Sequence, residues 1–154
     1  MRLLIQRVSQ ARVDAAGKNI ASIGHGLLVL VGFGADDGKD LAGSKVWKTM
    51  LGKVLDLRIF PDADGKLNLS VRDTCGEVLL VSQFTLYAEC KKGRRPSFHL
   101  AAPRDIALQL FDAFVQDMAR VFPGRVRQGA YGEEMDVQLC NQGPVTVMLD
   151  SAQF

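Results

Sequence analysis

The sequence predicts an α/β protein in which strands outnumber helices, in the order βββ-α-ββ-α-βββ. Three observations lead to this fold class. Short runs rich in Val, Leu and Ile are separated by turn residues, two longer segments carry apolar residues at helical spacing, and the strands do not alternate with helices as in a doubly wound sheet. A chain of 154 residues, 47% of them hydrophobic, suits one domain, predicted over 1–154, with a single core.

The first half of the chain is predicted to contribute three strands and a helix. The strands are 2–8, 11–23 with a turn at Gly17-Lys18-Asn19, and 26–33. The third is nearly all apolar, which is typical of a strand buried on both faces. Helix one is predicted from Asp37 to Leu57, behind Asp36 as its N-cap, because most of its apolar residues recur at helical spacing.

The second half is predicted to contain a central strand, a second helix and the closing strands. A short turn and strand precede residues 77–89, which are predicted to form the longest central strand. Helix two is predicted to open at Pro103 and Asp105 and to end at the Phe-Pro-Gly sequence of 122–124. Residues 125–151 then return to three strands.

Composition and charge exclude several classes of protein. The net charge is +2, from 19 basic and 17 acidic residues, so no overall field indicates nucleic acid or membrane as a partner. Arg2 and Arg7 interrupt the first apolar stretch, which is therefore neither a signal peptide nor a membrane span, and a cytoplasmic location is predicted. The three cysteines lie far apart and are interpreted as reduced structural thiols.

The sequence contains few familiar catalytic motifs. Of the two histidines, His25 enters a strand between glycines and His99 lies in a basic loop, with no nucleophile elbow beside either. The glycines of 32–38 are one residue out of step with the dinucleotide fingerprint, and carboxylates occupy the place that a phosphate would need. No metal-ligand spacing occurs, so neither a metal nor a cofactor is predicted.

Three segments remain as candidates for function. They are the SQFT sequence of 82–85, the basic loop with Lys91, Lys92, Arg94 and Arg95, and the NQGPVT sequence of 141–146. Each has an ordinary structural interpretation, since threonine is a good strand former and surface cations are often only solvated. The Gly143-Pro144 pair is harder to explain, because proline has no N–H for a sheet ladder and glycine weakens a strand.

Together these segments resemble the D-aminoacyl-tRNA deacylases, which hydrolyse the ester that joins a D-amino acid to the end of tRNA. The similarity covers the whole chain in the family's order, through LIQRV, GLLVLVG, LRIF, DGKLNLSV, VLLVSQFTL, RPSFHLAAP and MDVQLCNQGPVT. Two positions depart from the family pattern. Relatives often carry an acidic residue in place of Gln142 and a phenylalanine in place of Tyr131.

The resemblance implies a barrel-like mixed or antiparallel sheet and a two-fold homodimer. In that arrangement NQGPVT of one subunit enters the active site of the other, where Gly143 and Pro144 act as a chiral filter. A cis Gly143-Pro144 bond would present backbone carbonyls to the substrate and would explain why a strand-breaking pair is present. An isologous interface makes the exchange reciprocal, so each dimer is expected to hold two equivalent sites.

For the chemistry, the resemblance implies that backbone N–H groups around Gln83, Phe84 and Thr85 stabilise the oxyanion, while Ser82 and Thr85 orient their neighbours. Such a site needs a positioned water but no catalytic side chain or metal. The alternative, Thr85 as a nucleophile, stays open, although the sequence offers it no adjacent base. The ribose 2′-OH of the tRNA is expected to help position or activate the water.

The resemblance names D-aminoacyl-tRNA as the partner, with no membrane and no DNA. The basic loop is expected to meet tRNA phosphates, and Tyr131 and Met135 are expected to hold the terminal adenine, with core packing as the rival interpretation. Cleavage of glycyl-tRNA is expected as well, because glycine has no side chain for the filter to exclude. Two other hypotheses remain: a non-catalytic module that binds the tRNA end, and a metal-free hydrolase of a small ester.

Overall fold

The computed structural model describes residues 1–154 and contains two α-helices and eight strands. The helices are α1, Lys45–Asp56, and α2, Arg104–Val121. The strands are β1 Arg2–Ala15, β2 Lys18–Ile23, β3 Gly26–Gly32, β4 Phe60–Pro61, β5 Leu67–Leu69, β6 Glu77–Ser82, β7 Val126–Gln128 and β8 Met135–Asp150. The α/β class with two helices is confirmed. The order is βββ-α-βββ-α-ββ, because β4 adds a strand before α2 and the chain after α2 forms two strands, where three were predicted.

The main sheet is mixed and nearly closed into a barrel. Its order is β2-β1-β3-β6-β7, with β8 pairing along β1. Strand β1 is antiparallel to β2, β3 and β8, whereas β3 with β6 and β6 with β7 are parallel. Because β2 also approaches β6 and β7, the sheet curls around most of a turn, as the resemblance implied.

Strand β1 is longer than predicted and joins the first predicted strand to the first half of the second. It runs without a break over 2–15, and its two halves pair with β3 and with β2 respectively. The hairpin turn is formed by Ala16 and Gly17, both at positive φ (49° and 73°), with Ala15 opposite Lys18. A two-residue hairpin loop favours such a backbone, because it follows the twist of the strands. The turn therefore lies one residue before the predicted position.

The first helix begins later than predicted. Residues Lys39–Leu41 form a separate 3-10 turn, and Gly43, at a φ of +77°, interrupts the helical conformation before α1. The N-cap is Ser44, whose hydroxyl accepts the Trp47 N–H at 3.1 Å, and it takes the place predicted for Asp36. The predicted apolar face is confirmed, since it is buried at Trp47, Met50, Leu51, Val54 and Leu55.

The second helix is confirmed, with Pro103 before its first turn and Gly124, at a φ of +76°, after its end. Its buried residues join those of α1 and one face of the sheet in a core of 24 buried side chains. A smaller cluster of eight, including Val8, Leu79 and Val81, lies in the part of the barrel around β1, β2 and β6. Neither helix has the length and apolar character needed to cross a membrane.

The predicted central strand over 77–89 is about half as long in the structure. Strand β6 ends at Ser82, because its parallel neighbour β3 ends at Gly32 and offers no further ladder. The Gln83 N–H makes the last contact with β3, to the Val31 carbonyl at 2.8 Å, and Phe84–Tyr87 then form a 3-10 turn. The strand predicted to continue through SQFT is therefore wrong beyond Ser82, and these residues form a corner at the end of the sheet.

Candidate functional site

A cavity of about 420 Å³ opens where β3 and β6 end, beside α2. Nine of its 14 lining residues are hydrophobic, a composition common in small-molecule sites. Its polar groups come from Ser82 and Gln83 on one side and from Arg104 and Tyr131 on the other. The fold thus brings the SQFT corner and Tyr131 to one cavity, although nearly 50 residues separate them in sequence.

The SQFT corner contains backbone donors beside this cavity, which Phe84 lines and Thr85 does not. Phe84 and Thr85 are the first residues of a 3-10 turn, so their N–H groups have no acceptor within that turn. The Gln83 N–H is already used by the Val31 carbonyl. Two of the three amides named from the sequence therefore remain available for a ligand.

The side chains of the corner are arranged around Gln83. The side-chain nitrogen Nε2 of Gln83 donates to the hydroxyl of Thr85, a residue that is exposed and does not line the cavity. Gly32 lets the corner approach β3, because a β-carbon there would lie 2.8 Å from the Gln83 carbonyl oxygen. No histidine or carboxylate hydrogen-bonds to the Thr85 hydroxyl.

Tyr131 forms part of the opposite wall. Its hydroxyl donates to the Arg104 carbonyl at 2.9 Å, and its ring centroid lies 5.9 Å from that of Phe111. Desolvation raises the pKa of Tyr131, while the nearby Arg104 charge acts in the opposite direction, so the hydroxyl stays protonated at neutral pH. Met135 does not line the cavity and instead packs beside the smaller core cluster. The structure does not bring these two predicted adenine contacts together in one wall.

The basic loop is closed by a clasp at its base. Glu89 and Ser97 exchange two backbone hydrogen bonds, of 2.8 and 2.9 Å. The Ser97 hydroxyl also contacts His99 Nδ1 at 2.8 Å, and His99 Nε2 lies 3.3 Å from a Glu89 carboxylate oxygen. The sequence contains no nucleophile elbow beside His99, yet residues two apart on an extended chain share one face, which brings Ser97 and His99 together. Ser97 and His99 do not line the cavity, so we interpret this chain of contacts as structural.

The loop cations are free of acidic partners. Lys91, Lys92, Arg94 and Arg95 are all exposed. None has a carboxylate oxygen within 4.0 Å, because all seven ion pairs of the chain involve other residues. Their charge is available to a polyanion.

The Gly143-Pro144 pair lies in a bulge of β8. Val8 is opposite Asn141 and Gln6 is opposite Thr146, so the four residues 142–145 face only Arg7 on β1. The Gly143-Pro144 bond is cis. The Asn141 side chain closes the bulge, since its amide nitrogen donates to the Thr146 hydroxyl at 2.9 Å and its oxygen accepts the Val145 N–H at 3.2 Å. A Gly-Pro pair is tolerated within a strand because a bulge needs no ladder bonds there.

Arg7 supports the bulge from beneath and was not identified from the sequence. It is 7% exposed, its Nε donates to the Gln142 carbonyl at 3.1 Å, and its Nη1 donates to the Ile59 carbonyl at 2.6 Å. The one signal was a second charge, after that of Arg2, within a mostly apolar strand. Gly143 and Pro144 are exposed and do not line the cavity of their own chain.

Comparison with known proteins gives a consistent family. The model of a family described as D-Tyr-tRNA(Tyr) deacylase matches residues 4–150. A curated relative from Solidesulfovibrio magneticus, named D-aminoacyl-tRNA deacylase, is 60% identical over 154 residues, which are 100% of this chain and 98% of the relative. A relative of the same name from Thermosipho africanus is 48% identical over 151 residues, covering 98% of this chain and 97% of the relative.

Solved structures share the fold. One described as c-Myc DNA Unwinding Element Binding Protein has a TM-score of 0.87 and 38% identity, covering 97% of this chain and 98% of that one. Another, described as a probable eukaryotic D-amino acid tRNA deacylase, has a TM-score of 0.78 at 22% identity, covering 96% and 97%. At that identity the second structure supports the fold alone.

Proposed function

This chain belongs to the D-Tyr-tRNA(Tyr) deacylase family, and we propose that it hydrolyses the ester of D-aminoacyl-tRNA with backbone donors rather than with a catalytic side chain. The products are the free D-amino acid and tRNA, so the reaction removes D-amino acids from charged tRNA. The observation that carries the mechanism is the pair of unused N–H groups at Phe84 and Thr85, at the corner that borders the cavity. Fixed amides of this kind stabilise a developing oxyanion without reorganising.

In this mechanism a water attacks the ester carbonyl, and the negative charge that develops on the carbonyl oxygen is held by the Phe84 and Thr85 amides. The backbone N–H of Gln83 already donates to the Val31 carbonyl. The donors for the oxyanion are therefore these two amides and not the three expected from the sequence. The ribose 2′-OH beside the ester can donate and accept, and it positions the water. Ser82 and Thr85 orient their neighbours, Thr85 through its contact with the side-chain amide of Gln83.

Thr85 is an orienting group in this mechanism and not a nucleophile. Its hydroxyl contacts the amide nitrogen of Gln83, which donates a hydrogen bond and cannot take a proton. We expect the Thr85→Ala variant to keep activity within about tenfold of the wild type, since only orientation is lost. Single-turnover rates on D-tyrosyl-tRNA measure this, with Thr85→Ser as the matched control. If Thr85→Ser is active and a folded Thr85→Ala falls to the uncatalysed rate, Thr85 is the nucleophile.

We expect chelators to leave the rate unchanged. His, Cys, Asp and Glu side chains do not gather in groups of three anywhere in the chain, and a backbone oxyanion site has no need of a metal. The measurement is deacylation after dialysis against EDTA and against 1,10-phenanthroline, with magnesium restored for the tRNA. A loss of rate that zinc or another transition metal restores would contradict the proposal.

The proposed active form is an isologous homodimer in which the bulge of each subunit enters the cavity of the other. Two features support it: Gly143 and Pro144 are exposed yet outside the cavity of their own chain, and β8 carries exposed apolar surface such as Met148, which is 50% exposed. Each dimer then has two equivalent sites. There the backbone of Gly143 and Pro144 excludes an L side chain.

The proposal also covers the tRNA contacts, the location in the cell and the extent of the catalytic domain. The loop cations meet acceptor-end phosphates, a contact that is independent of sequence and weakened by salt. The terminal adenosine binds against Tyr131, and glycyl-tRNA is also a substrate. The protein acts in the cytoplasm, where tRNA is used, and residues 1–154 form one catalytic domain, in agreement with the span of the family match.

The test is parallel incubation with D-tyrosyl-tRNA and L-tyrosyl-tRNA. Release from the D form alone is expected. Binding without release would indicate a non-catalytic module for the tRNA end, and cleavage of small esters with inertness to both tRNAs would indicate a different hydrolase. A DNA competitor belongs in the same assay, because one structural relative is described as binding DNA. Displacement of tRNA by DNA at equal concentration would contradict selective use of tRNA.

A further inference from the structure

Phe84 and Phe98 form an aromatic pair exposed to solvent at the cavity. Both line it, their ring centroids lie 4.9 Å apart, and the rings meet edge to face at 69°. Phe84 is 54% exposed and Phe98 is 38% exposed. Aromatic rings normally contribute to folding by being buried, so a pair left in water beside a cavity is available to a flat ligand.

Unpaired positive charge lies next to this pair along the chain. Phe98 directly follows Ser97, which the clasp holds to Glu89 at the base of the basic loop. The clasp therefore holds the end of the basic loop in place, and with it the start of the residue that carries the Phe98 ring. Aromatic faces beside free cations are the combination with which proteins bind single-stranded nucleic acid, by stacking bases and neutralising phosphates.

We propose that Phe84 and Phe98 stack the base of the nucleotide that precedes the terminal adenosine of tRNA, while the basic loop meets its phosphates. The inference rests on the proposed function, in which the cavity holds the aminoacylated adenosine. The tRNA end is single-stranded, so the preceding base is free to stack on a protein surface. Because stacking uses the face of a base and not its edge, the subsite is expected to tolerate any base.

Two other roles would leave the same rings exposed in the single chain. They could be wall residues for the adenosine alone, or they could be covered by the partner subunit. The three roles differ in which substrate reveals them. A subsite for the preceding nucleotide has no effect on a substrate that lacks this nucleotide.

The first measurement uses the wild-type protein and needs no variant. We compare kcat/KM for D-tyrosyl-adenosine with that for the D-tyrosyl ester of the dinucleotide cytidylyl-adenosine. Adding the nucleotide is expected to raise kcat/KM roughly tenfold, mainly through KM, and a dinucleotide with an abasic first residue should lose most of the gain. Equal values for adenosine and both dinucleotides would overturn the inference.

The second measurement uses Phe98→Leu and Phe98→Tyr. The leucine variant is expected to lose roughly ten times more kcat/KM on the tRNA than on D-tyrosyl-adenosine, whereas the tyrosine variant, which keeps the ring, should retain the wild-type ratio. Phe154→Leu makes the same change at a phenylalanine that is 48% exposed and outside the cavity, and its ratio should not change.

Two other outcomes would assign Phe98 to a different role. Equal losses on both substrates would assign Phe98 to the adenosine wall, and an increase in the dimer dissociation constant of Phe98→Leu with an unchanged substrate ratio would assign it to the subunit interface. Either result overturns the inference but leaves the proposed function intact. A wild-type protein that cleaves neither substrate overturns both.

Discussion

Gly143→Ala is expected to lower the deacylation rate by at least about a hundredfold in a protein that still folds. A β-carbon at Gly143 would lie 2.7 Å from Arg7 Nη2 and 2.9 Å from Val145 Cγ2. The residue also has a φ of +122°, which L side chains rarely adopt. The bulge must therefore move, and with it the backbone that we place next to the substrate.

The loss of stability should be modest by comparison. Strained backbone of this kind costs about 1–3 kcal/mol, and the bulge is at the surface, where it can shift. The matched control is Gly65→Ala, at a φ of +77° with nothing within 4 Å of the added carbon, which should lose stability but keep its rate. The measurements are kcat/KM on D-tyrosyl-tRNA and thermal unfolding. Wild-type activity in Gly143→Ala would remove the bulge from the active site.

Discrimination between the enantiomers is the second large effect. With the same tRNA, D-alanyl-tRNA is expected to be hydrolysed at least about a hundred times faster than L-alanyl-tRNA. The reason is geometric, because a rigid backbone near the α-carbon excludes a methyl group from the L direction. Alanine is the most informative residue, since it has the smallest side chain that distinguishes the two forms. Similar rates for the two esters would contradict a backbone filter.

The sequence predicted best the elements whose signals are local. The second helix has Pro103 at its start and Gly124 after its end, and both effects act within a turn of the chain. The end of β6 was missed because it depends on the length of β3, which pairs with it about 50 residues away. Here the ladder, and not the propensity of SQFT for strand, decides the conformation.

The same distinction applies to the candidate site. The SQFT and NQGPVT segments were found from motifs. That the backbone N–H of Gln83 is not free for a ligand could not be predicted, because it depends on its contact with the Val31 carbonyl on β3. Arg7 could not be assigned, because its acceptors, the Gln142 and Ile59 carbonyls, are 135 and 52 residues away. Its role depends on the bulge around Gly143-Pro144, which the residues alone did not predict.

The rate on glycyl-tRNA, measured beside the two alanyl esters, tests most directly whether the site selects by exclusion. Glycine has no side chain to collide with the backbone of Gly143 and Pro144, so glycyl-tRNA should be cleaved at a rate close to that of D-alanyl-tRNA. The three esters are best compared on one tRNA under single-turnover conditions, corrected for spontaneous hydrolysis. A glycyl rate as low as the L-alanyl rate would show that the site requires a D side chain for recognition, and the backbone filter would have to be abandoned.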